Sequence, residues 1–187
     1  MLSAQTTRFF GYYPGTVALV TAEHAGTRNL LSVGWHTALS AEPPLYGVAV
    51  GRERATHPLI VGSGCFGVNF LPFAAARAVQ GAGVLSLHDL DGHGGGDKFG
   101  RLGLETLPDA GLALADAYLH YTCEVVEAVP TGDHDLFVGR VTGVRYDPAM
   151  YDGEGLFAGE AAVYLGRSAY VTTTRERVAY PPEVFGD

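Results

Sequence analysis

From Tyr118 to Tyr146 the chain reads YLHYTCEVVEAVPTGDHDLFVGRVTGVRY. Leu119, Tyr121, Cys123 and Val125 fall on one face of this run, and His120, Thr122 and Glu124 on the other. A repeat of two residues is the period of a β-strand. Thr131-Gly132-Asp133-His134 breaks the pattern as a turn, and Leu136 to Tyr146 resumes it. Gly139 and Gly143 interrupt the second strand where a bulge or a close approach of another group is expected. Two long antiparallel strands joined by a tight turn fit a barrel.

The flanking sequence extends the β theme. Thr16–Thr21 (TVALVT) is β-branched and apolar, and His24-Ala25-Gly26 turns it into a second run, Asn29–Trp35, giving a hairpin. Leu45–Val50 is apolar on both faces, as a central strand is, and lies between Pro43-Pro44 and Gly51. Phe66, Val68 and Phe70 alternate with Gly67 and Asn69 as a further strand. Ala161–Leu165 and Ala169–Thr173 are expected to close the barrel. Short helices are expected at Ala55–Val61 and Phe73–Val79, and a loop at Asp89–Gly96. With no regular strand–helix alternation, a doubly wound sheet is disfavoured. Residues 1–187 read as one domain that is mainly β.

Composition narrows the function. Glycine and proline number 26 and 10 in 187 residues, which favours turns and short elements over helix bundles. Apolar residues make up 47% and charged ones 17%, too apolar a mix for disorder. A net charge of −8 argues against nucleic acid and against anionic membrane surfaces. The apolar run 55–77 is too broken by Gly, Pro and Asn to span a membrane. No secretory signal is visible at the start, so a cytoplasmic setting is expected, with Cys65 and Cys123 as buried free thiols.

Two chemical signals dissolve on inspection. Gly62-Ser63-Gly64-Cys65-Phe66-Gly67 matches G-x-G-x-x-G but opens a strand, whereas a dinucleotide fingerprint must open a helix. His88, Asp89, Asp91, His93 and Asp97 have metal-ligand chemistry, yet the glycines of 92–96 fix no geometry, and no metal is expected. Three segments carry more. Asn29–Pro44 is unusually polar for a core strand and ends in a defined Pro-Pro corner; a solvated edge strand fits it too. Gly51–His57 gathers Arg52, Arg54, Thr56 and His57 at a helix start, which suits an anion, although a charged surface loop fits equally well. Gly132-Asp133-His134-Asp135 sets a His between carboxylates, as an ordinary surface turn also would.

Taken in order, these segments resemble the flavin reductase family, the FMN-binding split barrels. The resemblance rests on Asn29 with Ser32, Ser40 with Pro43-Pro44, Arg54 with Thr56-His57, Phe66–Asn69, Asp97-Lys98-Phe99, Gly132-Asp133-His134 and Gly139-Arg140-Val141. It spans about residues 10–171, with 172–187 as a tail. It implies an antiparallel Greek-key split barrel with a few short flanking helices. It further implies that FMN, or FAD, is held by Asn29, Leu30, Leu31 and Ser32 along the ring edge. Trp35, His36, Thr37 and Ser40 would border the ring or ribityl chain. Arg52, Arg54, Thr56 and His57 would take the phosphate, and Lys98 would reach the flavin from a flanking segment. His134 resembles the residue beside the nicotinamide and is the candidate catalytic group.

The implied activity is an NAD(P)H-dependent flavin reductase, with NADH or NADPH as co-substrate. The implied assembly is a homodimer with flavin at the interface, which would in turn serve a separate monooxygenase component. An FMN-holding electron-transfer protein of the flavoredoxin kind, without direct NAD(P)H oxidation, is the alternative; a barrel module without flavin is a third. Arg52 stands where relatives often carry a small polar residue, and Asp91–Gly96 is longer than the family pattern.

Overall fold

The computed structural model describes residues 13–87, 97–174 and 178. Among the described residues, ten strands form two sheets. They are β1 (Gly15–Thr16), β2 (Ala18–His24), β3 (Thr27–Val33), β4 (His36–Ser40), β5 (Leu45–Gly51), β6 (Cys65–Phe70), β7 (Leu119–Thr131), β8 (His134–Tyr146), β9 (Ala162–Gly166) and β10 (Ala169–Thr172). Seven of them pair antiparallel in the order β3-β2-β6-β7-β8-β5-β4. The helices are α1 (His57–Ser63), α2 (Ala76–Val84) and α3 (Lys98–Leu102), with a 3₁₀ turn at Phe73–Ala75.

The sheet must curl, and the chain shows why. Its two edge strands, β3 and β4, are separated in sequence by Gly34 and Trp35 alone. The three steps from Val33 to His36 reach only about 10 Å, far less than the width of seven flat strands spaced about 4.8 Å apart. The edges therefore meet, yet β3 and β4 form no ladder, so the barrel is split along that seam. The bond from Ala49 N–H to Trp35 O, 2.9 Å, carries the β4–β5 ladder one residue into the bend and does not bridge the seam.

This corrects two sequence expectations. Asn29–Trp35 and the residues after it are not one strand; a bend at Gly34-Trp35 sends the chain to the opposite edge. Nor do β9 and β10 close the barrel. They pair with β1 in a separate three-stranded sheet, β1-β9-β10.

Strand β2 is buried on both faces. Ala18, Val20 and Ala22 join Val48, Val50, Phe66, Val68 and Phe137 in the larger core. Leu19 joins Leu30, Val79, Phe99 and Leu114 in a second core beneath α2 and α3. The ladder of β7 and β8 slips between Thr122 and Cys123 and again between Val125 and Glu127. Gly143 and Gly139 stand at these slips. At Gly139 an added Cβ would lie 2.7 Å from Cys123 Cβ and 2.6 Å from Phe66 Cζ, so only glycine fits.

The Cys pair also differs from expectation. Both are free, but Cys65 is exposed at the start of β6 and only Cys123 is buried, where desolvation pushes its thiol up to about 12. The G-x-G-x-x-G stretch does lead into a strand: Gly64 caps α1 with φ +66, and β6 begins at Cys65. The glycine loop, with His88, Asp89, Asp91 and His93, lies outside the described residues, as do Tyr12 and nearly all of the tail. Asp97 is described and caps α3, accepting from Phe99 N and Gly100 N. Among the described residues, no three His, Cys, Asp or Glu converge on a metal position, and no helix is long and apolar enough to cross a membrane.

Candidate functional site

Where β3, the Gly34-Trp35 bend, the 51–56 loop, the end of α2 and the β9–β10 hairpin meet, they enclose a cleft of about 640 Å³. Asn29, Leu31 and Ser32 line it from β3, Trp35 from the bend, and Arg54 and Thr56 from the loop. Lys98 of α3 and His134 of β8 complete the set that sequence reading assembled. Among the described lining residues, Arg54, Lys98 and Arg167 are cationic and none is a carboxylate. That is notable in a chain with 20 Asp plus Glu against 12 Lys plus Arg.

Asn29 is only 2% exposed. Its Nδ2 donates to Thr56 Oγ1 at 3.0 Å, while its Oδ1 is buried and has no hydrogen-bond partner. A buried acceptor left unmade costs about 1–3 kcal/mol, so this atom fits a site in which a ligand N–H completes it. Ser32 Oγ donates to Val79 O, tying β3 to α2 beside the cleft. Lys98, 3% exposed, donates from Nζ to Leu30 O at 2.7 Å and Ala82 O at 2.8 Å. Burial, reinforced by the charge of Arg54, lowers its ammonium to about 8. Leu30 itself turns its side chain into the second core and offers the site only that carbonyl.

The 51–57 loop is held from behind by Asp135. Arg52 donates from Nε and Nη2 to Asp135 Oδ1 at 2.9 and 2.7 Å, and His57 Nε2 sits 2.8 Å from Oδ2. These hydrogen bonds, that of Arg52 first, hold the Asp135 carboxyl below its ordinary range. Arg52 N–H also donates to Asp133 O at 3.2 Å, which ties the loop to the β7–β8 turn. Arg52 and His57 thus face Asp135 and are not among the cleft-lining residues. Arg54 lines the cleft, with its Nε 3.1 Å from Glu53 Oε1.

His134 belongs to β8, one residue beyond the turn formed by Gly132 and Asp133, and pairs with Gly51. Its ring centroid lies 4.9 Å from that of Trp35, and its Nδ1 is 2.8 Å from Asp133 Oδ1. His36 faces the seam instead of the cleft: Nε2–H donates to Thr16 O at 3.1 Å, and Nδ1 accepts from Tyr46 O–H at 2.7 Å. Burial lowers the His36 pKa. Thr37 is exposed and Ser40 half-buried, and neither lines the cleft.

Sequence reasoning missed two contributors. The segment Ala82–Leu87 forms one wall, and Arg167 reaches the cleft from the β9–β10 turn. The small residues at the end of α2 and the Leu85-Ser86-Leu87 that follow carried no chemical signal. Arg167 carried one only in retrospect, as a charged residue inside a hairpin turn.

The chain matches the family described as flavin reductase like domain over residues 10–172. It belongs to that family. An FMN-binding protein from Thermus thermophilus, solved with bound 1-cyclohex-2-enone, superposes with a TM-score of 0.81 at 30% identity. That match covers 96% of this chain and 98% of the other. An NADH-dependent FAD reductase of Streptomyces globisporus is 28% identical over 157 residues, covering 83% of this chain and 81% of its own length. The reductase component of a 4-nitrophenol 4-monooxygenase/4-nitrocatechol 2-monooxygenase from Rhodococcus opacus is 29% identical over 131 residues, 70% of this chain and 65% of that one. The family barrel with its few short helices is the fold described above.

Proposed function

We propose that the cleft binds FMN, with FAD as the alternative, and that the chain is an NAD(P)H-dependent flavin reductase. The observation that carries this reading is the cleft's charge: Arg54 and Lys98 line it beside the buried Asn29, with no described carboxylate, on a molecule of net charge −8. Such a site selects an anionic ligand, and Leu31, Val33 and Trp35 give it an apolar wall for a flat ring. When bound, the flavin supplies the redox chemistry, taking a hydride from NADH or NADPH and passing electrons onward.

The chain's own residues do the placing. Arg54 and Thr56 would hold the phosphate, with Arg52 and His57 acting at one remove by fixing the loop through Asp135. Asn29 Oδ1 is the acceptor available to a ring N–H, and Lys98 keeps positive charge in the wall below about pH 8. His134, whose ring lies beside Trp35, would orient the nicotinamide. Reduced flavin would then serve a separate monooxygenase component.

Stopped-flow mixing of the FMN-loaded protein with NADH and with NADPH tests the activity. Rapid bleaching of the visible flavin band with at least one is expected. Bound flavin that neither bleaches, but that a reduced redox protein does, would establish the electron-carrier alternative instead.

A homodimer belongs to the same proposal. Val144 and Tyr146, alternate residues on one face of β8, are 57% and 62% exposed, and such apolar surface suits a partner. Sedimentation velocity at micromolar concentration is expected to give a dimer; a flavin-bound monomer would overturn this.

A further inference from the structure

The three-stranded sheet contributes one cation to the cleft, and its backbone is unusual. Strands β9 and β10 are joined by Arg167 and Ser168, with φ of +49° and +63°. Two-residue hairpin turns of this kind need left-handed backbone at both positions and favour Asn or Gly. An arginine there is disfavoured on backbone grounds, so its side chain is the feature to explain.

That side chain lines the cleft. Arg28 pairs with Asp97, Arg52 with Asp135 and Arg54 with Glu53. Arg167 has no ion pair or hydrogen bond among the described residues. The turn is nevertheless anchored. Ser168 N–H donates to Tyr164 Oη at 3.4 Å, the Tyr164 and Tyr170 rings lie 5.1 Å apart, and Tyr170 O–H donates to Gln80 Oε1 at 3.1 Å. Gln80 belongs to α2, whose end forms a cleft wall. Arg167 is thus exposed and has no partner among the described residues, on a turn anchored by Tyr164 and Tyr170. It comes from a different sheet from the Arg54 and Thr56 loop.

We infer that Arg167 binds the pyrophosphate of the dinucleotide reductant, so that it selects NADH or NADPH over phosphate-free dihydronicotinamides. This rests on the flavin reductase reading above. A guanidinium forms paired, charge-assisted hydrogen bonds to phosphate oxygens, and its five donors span two adjacent phosphates.

The test uses FMN-loaded protein with NADH and with dihydronicotinamide riboside, which has no phosphate. Arg167→Asn removes the charge and tolerates left-handed backbone; Arg167→Lys keeps the charge. For Arg167→Asn, the KM for NADH is expected to rise about tenfold with kcat within twofold, while kcat/KM for the riboside stays unchanged. Arg167→Lys should recover most of the NADH affinity, and the gap should narrow with added salt. An unchanged KM for NADH, or a matching loss with the riboside, overturns the assignment while leaving the reductase reading intact. A wild-type chain that takes up no FMN, or is reduced by neither compound, overturns that reading and this assignment together.

Discussion

Replacing Gly139 with valine is expected to cost about 3 kcal/mol or more, which is a large share of the ~5–15 kcal/mol that holds a typical domain together. The position lies in β8 opposite Val125, beside a ladder slip. Any Cβ there would come within 2.7 Å of Cys123 Cβ and 2.6–2.8 Å of the Phe66 ring. Cys123 Cβ is fixed to its strand, and Phe66 is 1% exposed in the packed core. Neither can swing away, so the strands must separate. Gly143 is the internal control. There an added Cβ meets Thr122 only at 3.5–3.6 Å, ordinary contact, and Gly143→Ala should stay within about 0.5 kcal/mol. Urea unfolding with a common m-value measures both. A Gly139→Val midpoint equal to wild type would refute the packing argument.

Acid is expected to remove about 3 kcal/mol of stability between pH 6.5 and 4 through one side chain, His120. Its Nδ1–H donates to Asn69 Oδ1 at 2.9 Å, and Nε2 accepts from Thr122 Oγ1–H at 3.1 Å. Asn69 Oδ1 also accepts from Leu114 N, and its Nδ2 donates to Leu19 O and Thr21 Oγ1. The neutral ring is therefore fully bonded, and a second ring proton would reverse the Thr122 bond and put an unpaired charge in the core. Burial, with the nearby charge of Arg145, lowers the His120 pKa to about 4. Above pH 6.5 the ring is neutral in both folded and unfolded chains, and the stabilisation is complete. As pH falls toward 4 only the unfolded chain takes up the proton, so stability declines. Below 4 both forms are protonated and the loss levels off. The half-buried His36, whose pKa desolvation also lowers, adds a loss of the same sign. An NMR titration of His120 in the folded protein is expected to show no protonation at pH 5.5; a midpoint near 6.5 would refute the prediction.

These two residues also mark what could be read in advance. The alternation of Tyr118–Tyr146 places β7 and β8 from sequence, and Gly139 and Gly143 announce trouble in the ladder because glycine inside a strand has few other uses. That His120 lies under a second buried face was not legible. Its cover comes from residues 112–114 through Asn69, a contact made only by the folded chain. The bend at Gly34-Trp35 was hidden for a related reason. Strand-forming residues run on both sides of it, and only the sheet order shows that the chain has crossed to the other edge. At the cleft, Asn29, Ser32, Arg54, Thr56, Lys98 and His134 were legible as an ordered set and do gather. Arg52 and His57 share the same short segment, yet their side chains turn to Asp135, which lies 78 or more positions away in sequence. Spacing alone does not reveal which way a loop side chain points.

The pairing of Thr16 with Val163 has a consequence for how the protein is made. All seven strands of the barrel sheet are complete once residue 146 has left the ribosome. Tyr164 and Arg167 have not yet emerged at that stage, and β1 has no partner. A nascent chain can therefore fold its barrel while its cleft still lacks one wall. Completion of the cleft wall at Tyr164 and Arg167 therefore waits on the pairing of β1 with β9 and not on the first collapse.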